Sequence, residues 1–298
     1  MSYLFVRDNI IVGSDSVVNS IEILKTAMKE KYAIPQFNIN NLEWTKYILE
    51  ECEKEKSPVI LGVSENAAKY MGGYKTVFNI VQGLIEDLSI TVPVVLHLDH
   101  GHSIDECKKA INAGFTSVMI DSSSYEINKN IDITKEVVNY AKKFNVSVEA
   151  EVGHVGGKED SLVAESCYAT LNDCVELVSK TGINSLAPAL GSVHGLYKGK
   201  PKIDFKRMLE INQNINIPLV LHGGTGLPDN ILKESIKCGT CKININTELQ
   251  IVWSNAVRKF LKKDKKVYDP RKIISSGELA IKNAVKEKIY LFGSNGKG

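Results

Sequence analysis

The chemistry in this chain gathers at the ends of short apolar runs. Six histidines occupy positions 97, 100, 102, 154, 194 and 222. Each falls at or just after such a run, and none lies in the body of a helical pattern. A lone histidine is usually a packed structural residue. Several on one rim fit a metal better, because neutral imidazole is the commonest protein ligand. The most informative stretch is Pro93-Val-Val-Leu-His-Leu-Asp-His-Gly101, an apolar run that turns abruptly polar. It reads as a buried parallel strand whose C-terminal end carries Asp99 as an acid–base group and His100 as a metal ligand. His194, in Gly191-Ser-Val-His-Gly195, and His222, opening His222-Gly-Gly-Thr-Gly226, stand at two further ends. Three histidines with an open position make a catalytic Zn2+ site. His97 shares the parity of Asp99, so it should face the same interior and orient other groups. His102 and His154 read as loop residues near the rim.

Carboxylates and glycines complete the set. Asp99, Asp121 and Glu151 are strand-end acids, while Glu159 and Asp160 lie in the loop Gly156-Gly-Lys-Glu-Asp160. A loop acid is by default only solvated; over a metal it becomes a credible mobile base. His222-Gly-Gly-Thr-Gly226 and Asn244-Ile-Asn-Thr247 end the seventh and eighth strand-like runs. In barrels these two loops commonly bind phosphate through backbone N–H groups and a helix N-terminus. Lys198 could add a positive charge.

These groups need a scaffold that brings many strand ends to one face. Strand-like runs at 33–38, 58–64, 93–99, 116–121, 146–152, 185–190, 217–222 and 240–246 alternate with helical patterns. The helical patterns lie at 41–56, 66–88, 103–113, 129–144, 171–181, 204–214, 228–238 and 247–263, with one more at 275–291. Eight β–α units predict one α/β domain, a closed (β/α)8 TIM barrel, with a doubly wound open sheet as the alternative. A further helix from about Asn19–Ser20 to Lys31 precedes the barrel, and the last pattern forms a C-terminal helical extension. The segments 153–170 and 191–203 are too long for simple connections and read as mobile loops. Residues 1–19 form an arm, either a short hairpin or irregular chain, and 20–298 the barrel domain.

Composition narrows the function classes. The 298 residues are 43% hydrophobic and 24% charged, with a net charge of +2 from 37 basic and 35 acidic residues spread along the chain. There is no basic patch with interleaved aromatics, so no nucleic-acid partner is expected. No apolar run approaches the roughly 20 residues that span a bilayer, and Arg7, Asp8, Asp15 and Glu22 interrupt any signal-peptide layout. A cytoplasmic location without membrane attachment is the expectation. Six scattered cysteines in so large a chain are not disulfide staples. Cys238-Gly-Thr-Cys241 has redox spacing but lies between a helix end and a strand, so small core residues are expected there.

At this point the motifs match a known family. His97-Leu-Asp-His100, Glu149-Ala-Glu-Val-Gly153 with Gly156-Gly157 and Glu159-Asp160, and Ala187-Pro-Ala-Leu-Gly-Ser-Val-His-Gly195 occur in order along the chain. Leu221-His-Gly-Gly-Thr-Gly226 and Lys242-Ile-Asn-Ile-Asn-Thr-Glu248 follow. Together they resemble the class II, zinc-dependent fructose-bisphosphate aldolases, from about Ser20 to the C-terminus. The resemblance implies reversible aldol cleavage of fructose 1,6-bisphosphate to dihydroxyacetone phosphate and glyceraldehyde 3-phosphate through a zinc-stabilised enediolate, in glycolysis and gluconeogenesis. It implies that His100, His194 and His222 hold the zinc and that Glu151 can bind metal in a resting position. Asp99 matches the residue handling the carbon-4 hydroxyl proton, and Glu159 the loop acid that moves the proton of the dihydroxyacetone phosphate carbon. Gly195, Lys198, Gly223, Thr225, Asn246 and Thr247 match phosphate contacts, and Asn244 a substrate contact near the zinc. Asn38 and Ser64 match the far side of the pocket. Arg271, in Asp269-Pro-Arg271, matches an arginine reaching the second phosphate from a neighbouring subunit, in a homodimer or homotetramer. The family also uses a monovalent cation, Na+ or K+, near the phosphate loops.

The related tagatose 1,6-bisphosphate aldolases tend to have Ala where Asn246 stands and to lack Lys198, so this chain resembles the fructose branch. A Schiff-base aldolase using Lys242, a zinc hydrolase and a non-enzymatic sugar-phosphate binder are the rivals. The three-histidine set argues against the first, because that chemistry needs no metal. The first strand carries no His-x-His, which argues against the second. Retention of acid, base and ligands together argues against the third.

Overall fold

The computed structural model describes residues 17–159, 162–164, 167–195, 197 and 199–298, with the backbone alone described at 157–159 and 162–164. The chain order is α1 (Ile21–Glu30), β1 (Ile34–Asn38), α2 (Leu42–Lys54), β2 (Val59–Val63), α3 (Glu65–Tyr70), α4 (Tyr74–Asp87), β3 (Val94–Gly101) and α5 (Ile104–Ala113). Then come β4 (Ser117–Ile120), α6 (Ile127–Ala141), β5 (Ser147–Val152), β6 (Gly156–Glu159), β7 (Leu162–Ala164), α7 (Leu171–Thr181), β8 (Ser185–Pro188) and β9 (Val193–His194). The remainder is α8 (Phe205–Asn214), β10 (Leu219–Leu221), α9 (Asp229–Lys237), β11 (Thr240–Ile245), α10 (Thr247–Lys263), α11 (Pro270–Ser275) and α12 (Glu278–Phe292). Strands β1, β2, β3, β4, β5, β8, β10 and β11 close into one all-parallel barrel, with β1 against β11. The open doubly wound sheet is thereby excluded.

Alternation along the strands sorts side chains into two environments. Phe37, Leu61, Leu96, Leu98, Val118, Val148, Leu186, Leu221 and Ile243 face outward into the shell shared with the helices. The interior is layered. At the bottom, Ile34, Ile60 and Val95 pack with Leu24 and Ala27 of α1, which plugs the N-terminal end of the barrel. Above that plug the interior is polar: Gln36, Asn38, His97, Asp99, Glu149, Glu151, Lys242 and Asn244 are all buried. A Cβ at Gly62 would lie 2.5 Å from Gln36 Nε2, so that glycine makes room for the glutamine. Several βα connections deliver a cap to the helix that follows: Asn41, Ser64, Ser103 and Thr170 each accept a backbone N–H with the side chain.

Three expectations need correction. The pattern at 66–88 is two helices, α3 and α4, because Gly72 and Gly73 both take positive φ between them. The C-terminal pattern at 275–291 is the single helix α12, and a short helix that no pattern marked, α11, precedes it. Strand three does not stop at residue 99 but runs to Gly101. The segments 153–170 and 191–203 are not simply loops: β6, β7 and β9 form a small sheet of order β7-β6-β9, with Gly157 in register with His194. Of the arm, residues 1–16 lie outside the described residues; Val17 bridges Val94 and Val18 donates its N–H to the Val94 carbonyl. Among the described residues no helix is long and apolar enough to cross a membrane.

Candidate active site at the C-terminal mouth of the barrel

Alternation alone would send Asp99 inward and His100 outward. The β3–β4 register prevents this, shifting between Leu98 and Gly101 so that Asp99 and His100 form a bulge. His100 takes a left-handed φ of 52°, uncommon outside glycine, and this turns its ring into the mouth beside Asp99. Gly101 permits the bulge: a Cβ there would stand 2.8 Å from both Leu98 Cδ2 and the Met119 carbonyl.

Three imidazoles converge. His100 lies with ring centroids 5.1 Å from His194 and 4.7 Å from His222, and the last two are 5.8 Å apart. One nitrogen from each comes within 4.8 Å of the others, a spacing at which they could hold one metal ion. His100, Asp121 and Glu151 form a second overlapping group at the same spacing. His100 Nε2 and His222 Nδ1 face one another at 2.8 Å. The opposite nitrogens are fixed by carboxylates: His100 Nδ1 donates to Asp121 Oδ2 at 2.8 Å, and His222 Nε2 donates to Glu149 Oε1 at 2.9 Å. Burial pushes Asp121 up, but the hydrogen bonds and charge of His100 and the bonds from Ser123 hold it well below the carboxylate range. Burial is likewise outweighed at Glu149 by Lys242 and His222. Both acids therefore accept from the rings, and the two nitrogens that face one another at hydrogen-bond distance are on the side where a cation would be held. Burial pushes His222 down, favouring the neutral ring that a metal requires. The donor set, three imidazole nitrogens with carboxylates behind two of the rings, fits a borderline divalent cation such as Zn2+.

Asp99 is braced on both oxygens. Asn38 Nδ2 donates to Oδ2 at 2.8 Å and Asn244 Nδ2 lies 3.4 Å from Oδ1. Burial pushes this carboxyl up, but the charges of His100, His222 and Lys242 bring it below its ordinary range. Asn244 Oδ1 is buried without a hydrogen-bond partner among the described residues, available to a ligand. His97 is buried in the interior and bonded to Ser117 Oγ at 2.7 Å; burial, then Lys242, push it down to about 3, so it stays neutral.

The glycine-rich loop after β10 and the N-terminus of α10 meet. Thr225 Oγ1 accepts from the backbone N–H of Glu248 at 3.3 Å, while Asn246 and Thr247 stand at the start of α10. Gly223 has φ 67°, and a Cβ there would meet the Val193 carbonyl at 2.3 Å. That close approach seats the loop against the segment bearing His194 and Gly195. Ser64 uses its hydroxyl to cap α3, accepting from Ala67 N at 3.2 Å. Arg271 is not brought into the pocket by its own chain: its side chain is 90% exposed and closes on Asp269. The backbone of Glu159 lies in β6, which β9 ties to His194. The Glu159 side chain, Asp160 and Lys198 lie outside the described residues.

Two histidines expected only near the rim differ. His102 is exposed, with its backbone N–H on Glu65. His154 is built in: its Nδ1 lies 2.9 Å from Ser123 Oγ, which donates to Asp121, and its backbone pairs with Cys167. Sequence reasoning missed the anchoring of His100 and His222 by Asp121 and Glu149, and the role of Lys242. Lys242 Nζ sits 2.8 and 3.0 Å from the two Glu149 oxygens, which argues against a nucleophilic amine. The parity of Glu149 with Glu151 along β5 was the available signal. Cys238 and Cys241 are free, and burial pushes Cys241 up to about 12, so this pair behaves as core.

Comparison with known proteins shows what the whole chain is similar to. The family model described as fructose-bisphosphate aldolase class-II matches residues 18–297. A fructose-bisphosphate aldolase from Geobacillus stearothermophilus is 59% identical over 283 residues, covering 95% of this chain and 99% of the relative. One from Staphylococcus epidermidis is 55% identical over 282 residues, covering 94% and 99%. Among solved structures, the YdjI aldolase from Escherichia coli K12 superposes with a TM-score of 0.81 at 30% identity, over 94% of this chain and 99% of that one. A fructose-bisphosphate aldolase from Campylobacter jejuni shares the fold, with a TM-score of 0.82 at 23% identity over 96% and 98%.

Proposed function

The chain belongs to the class II fructose-bisphosphate aldolase family, and from that premise we propose how its residues divide the work. The reaction is reversible aldol cleavage of fructose 1,6-bisphosphate, an aldehyde-lyase step of glycolysis. The observation that carries the site assignment is the convergence of His100, His194 and His222 beside the braced carboxylate Asp99. The three histidines would hold Zn2+, with Glu151 close enough to take a resting position. Lewis-acid polarisation of the substrate's oxygens is what such an ion supplies when bound.

The protein's own groups do the rest. Asp99 takes the proton from the carbon-4 hydroxyl oxygen as the bond between carbons 3 and 4 parts, and returns it in condensation. Asn38 and Asn244 hold both carboxylate oxygens, so the base is oriented before substrate arrives. Glu159, carried on β6, delivers a proton to carbon 3 of the departing triose phosphate. Gly195, Lys198, Gly223, Thr225, Asn246 and Thr247 grip one phosphate, using backbone N–H groups and the start of α10. Ser64 lies toward the other phosphate, which Arg271 of a neighbouring subunit reaches in a homodimer or homotetramer. The partner is thus a small sugar bisphosphate, and the location the cytoplasm.

A coupled cleavage assay tests this. Fructose 1,6-bisphosphate should be cleaved far faster than the tagatose epimer, and chelator should abolish the activity. Chelator-resistant cleavage that borohydride traps on Lys242 would overturn the metal assignment; faster tagatose cleavage would overturn the sugar preference.

A further inference from the structure

Gln36 lies fully buried on the inner face of β1, one layer below Asn38. Its Nε2 donates to Asn38 Oδ1 at 3.4 Å, and Asn38 Nδ2 in turn donates to Asp99 Oδ2 at 2.8 Å. The glutamine amide reaches this place through the space beside Gly62, which pairs in register with Asn38 on one side and His97 on the other. A Cβ at Gly62 would stand 2.5 Å from Gln36 Nε2 and 2.8 Å from its Cδ, so a glycine at 62 is what admits the amide. Gln36 Oε1 is buried and has no hydrogen-bond partner among the described residues. Leaving a buried acceptor unmatched is costly. The layer beneath is filled by Ile34, Ile60 and Val95, so packing alone would be served better by an apolar residue at 36.

We infer that Gln36 is a positioning residue that acts through Asn38: its side-chain N–H holds Asn38 Oδ1, so that Asn38 Nδ2 stays turned toward Asp99. The inference rests on Asp99 being the base of the cleavage step and names what holds its brace. The direction of the chain follows from donor and acceptor capacity. A carboxylate that takes up a proton can only accept, so Asn38 must show it the amino end. The Asn38 carbonyl then points away from Asp99 in a buried place, where only a donor can satisfy it. Gln36 supplies that donor from below. Without it the Asn38 amide would be fixed at one end alone, about a torsion whose preference is broad. Its unmatched carbonyl would favour rotation toward another donor. Such a rotation withdraws the N–H from Asp99 and misaligns the base against the carbon-4 hydroxyl. Gln36 and Gly62 thus form one device, a long amide on β1 and the space for it on β2.

The test is steady-state cleavage of fructose 1,6-bisphosphate by the full-length, metal-loaded enzyme, arranged as a double-variant cycle. Gln36→Met keeps the length of the side chain without the donor; it should lower kcat about 3- to 10-fold with KM nearly unchanged. Asn38→Ala should lower kcat as well. In the Asn38→Ala background, Gln36→Met should add no further loss, because Gln36 reaches Asp99 only through Asn38. Gly62→Ala fills the space of the glutamine amide and should reproduce the kcat loss with Gln36 itself intact. A wild-type kcat for Gln36→Met, a loss that appears in KM instead, or a full further loss in the Asn38→Ala background overturns the inference. A wild-type kcat for Asp99→Ala would instead remove the base itself, and a wild-type kcat for Asn38→Ala the brace; the inference falls with either. If Gln36→Met does not fold, Gly62→Ala, alone and combined with Asn38→Ala, decides by the same readings.

Discussion

His100 Nε2 and His222 Nδ1 stand 2.8 Å apart, and the other nitrogen of each ring is committed to a carboxylate. A cation held by both rings would replace this direct contact with two metal–nitrogen bonds. Bound metal should therefore stabilise the fold measurably. At a free Zn2+ concentration of about 1,000 times Kd the gain is roughly 4 kcal/mol, on the order of 10 °C in Tm for a chain of this size. Differential scanning calorimetry before and after chelator treatment reads this directly; no change in Tm would contradict it.

His194→Ala should abolish stoichiometric zinc while leaving the barrel folded, since His194 lies on the short peripheral strand β9 rather than in the barrel wall. Elemental analysis of the purified variant, with circular dichroism as the control, checks this. One retained zinc per chain would count against His194 as a ligand.

Asp99→Ala should lower kcat by roughly 10²–10⁴ with a smaller change in KM, as expected for a group that moves a proton in the transition state. Asn38→Ala removes the 2.8 Å brace and should cause a milder loss, again mainly in kcat. Steady-state cleavage kinetics decide; an unchanged kcat for Asp99→Ala would remove it from the mechanism.

Gly101→Ala tests the bulge. The added methyl would meet Leu98, the Met119 carbonyl and Cys107 Sγ, all within 2.9 Å. A loss of about 1–3 kcal/mol in denaturant unfolding is expected, together with weakened metal binding because His100 must shift. Wild-type stability would mean that β3 can relax at no cost.

Much of this was legible beforehand, for reasons that differ between regions. Eight strands could be read because both faces of each strand are buried, giving short apolar runs, and because caps such as Asn41 and Ser103 mark where helices begin. His100, His194 and His222 were legible because polar chemistry at the end of an apolar strand has little structural use. Their anchoring was not. Asp121 and Glu149 meet the rings across strands, a contact set by barrel register rather than by sequence spacing. The small sheet β7-β6-β9 was missed because its strands are two to four residues long, too short to show a period, and β6 opens on two glycines. In 66–88 the adjacent Gly72 and Gly73 were the local signal for a break, and both take positive φ between the two helices.

Acid should unfold the protein partly through Glu53. Burial pushes its carboxyl up, but Lys56, the Thr91 and Val92 backbone N–H groups and the Thr91 hydroxyl bring it down to about 2. The folded pKa lies below the ordinary carboxylate value. Its contribution is therefore fully present above about pH 4.5 and is lost as pH falls from there toward about 2. After allowance for solvent screening, Glu53→Gln should cost about 1 kcal/mol at pH 7 and little at pH 2. Urea midpoints across that window test it; an equal loss at both ends would contradict the assignment.

The most direct single measurement is zinc K-edge X-ray absorption on the metal-loaded enzyme, paired with a crystallographic anomalous map. One ion should appear with three nitrogen neighbours at about 2.0–2.1 Å, from His100 Nε2, His194 and His222 Nδ1, next to Asp99. An ion bound elsewhere, or sulfur in its coordination shell, would contradict the assignment of these three imidazoles to aldol cleavage.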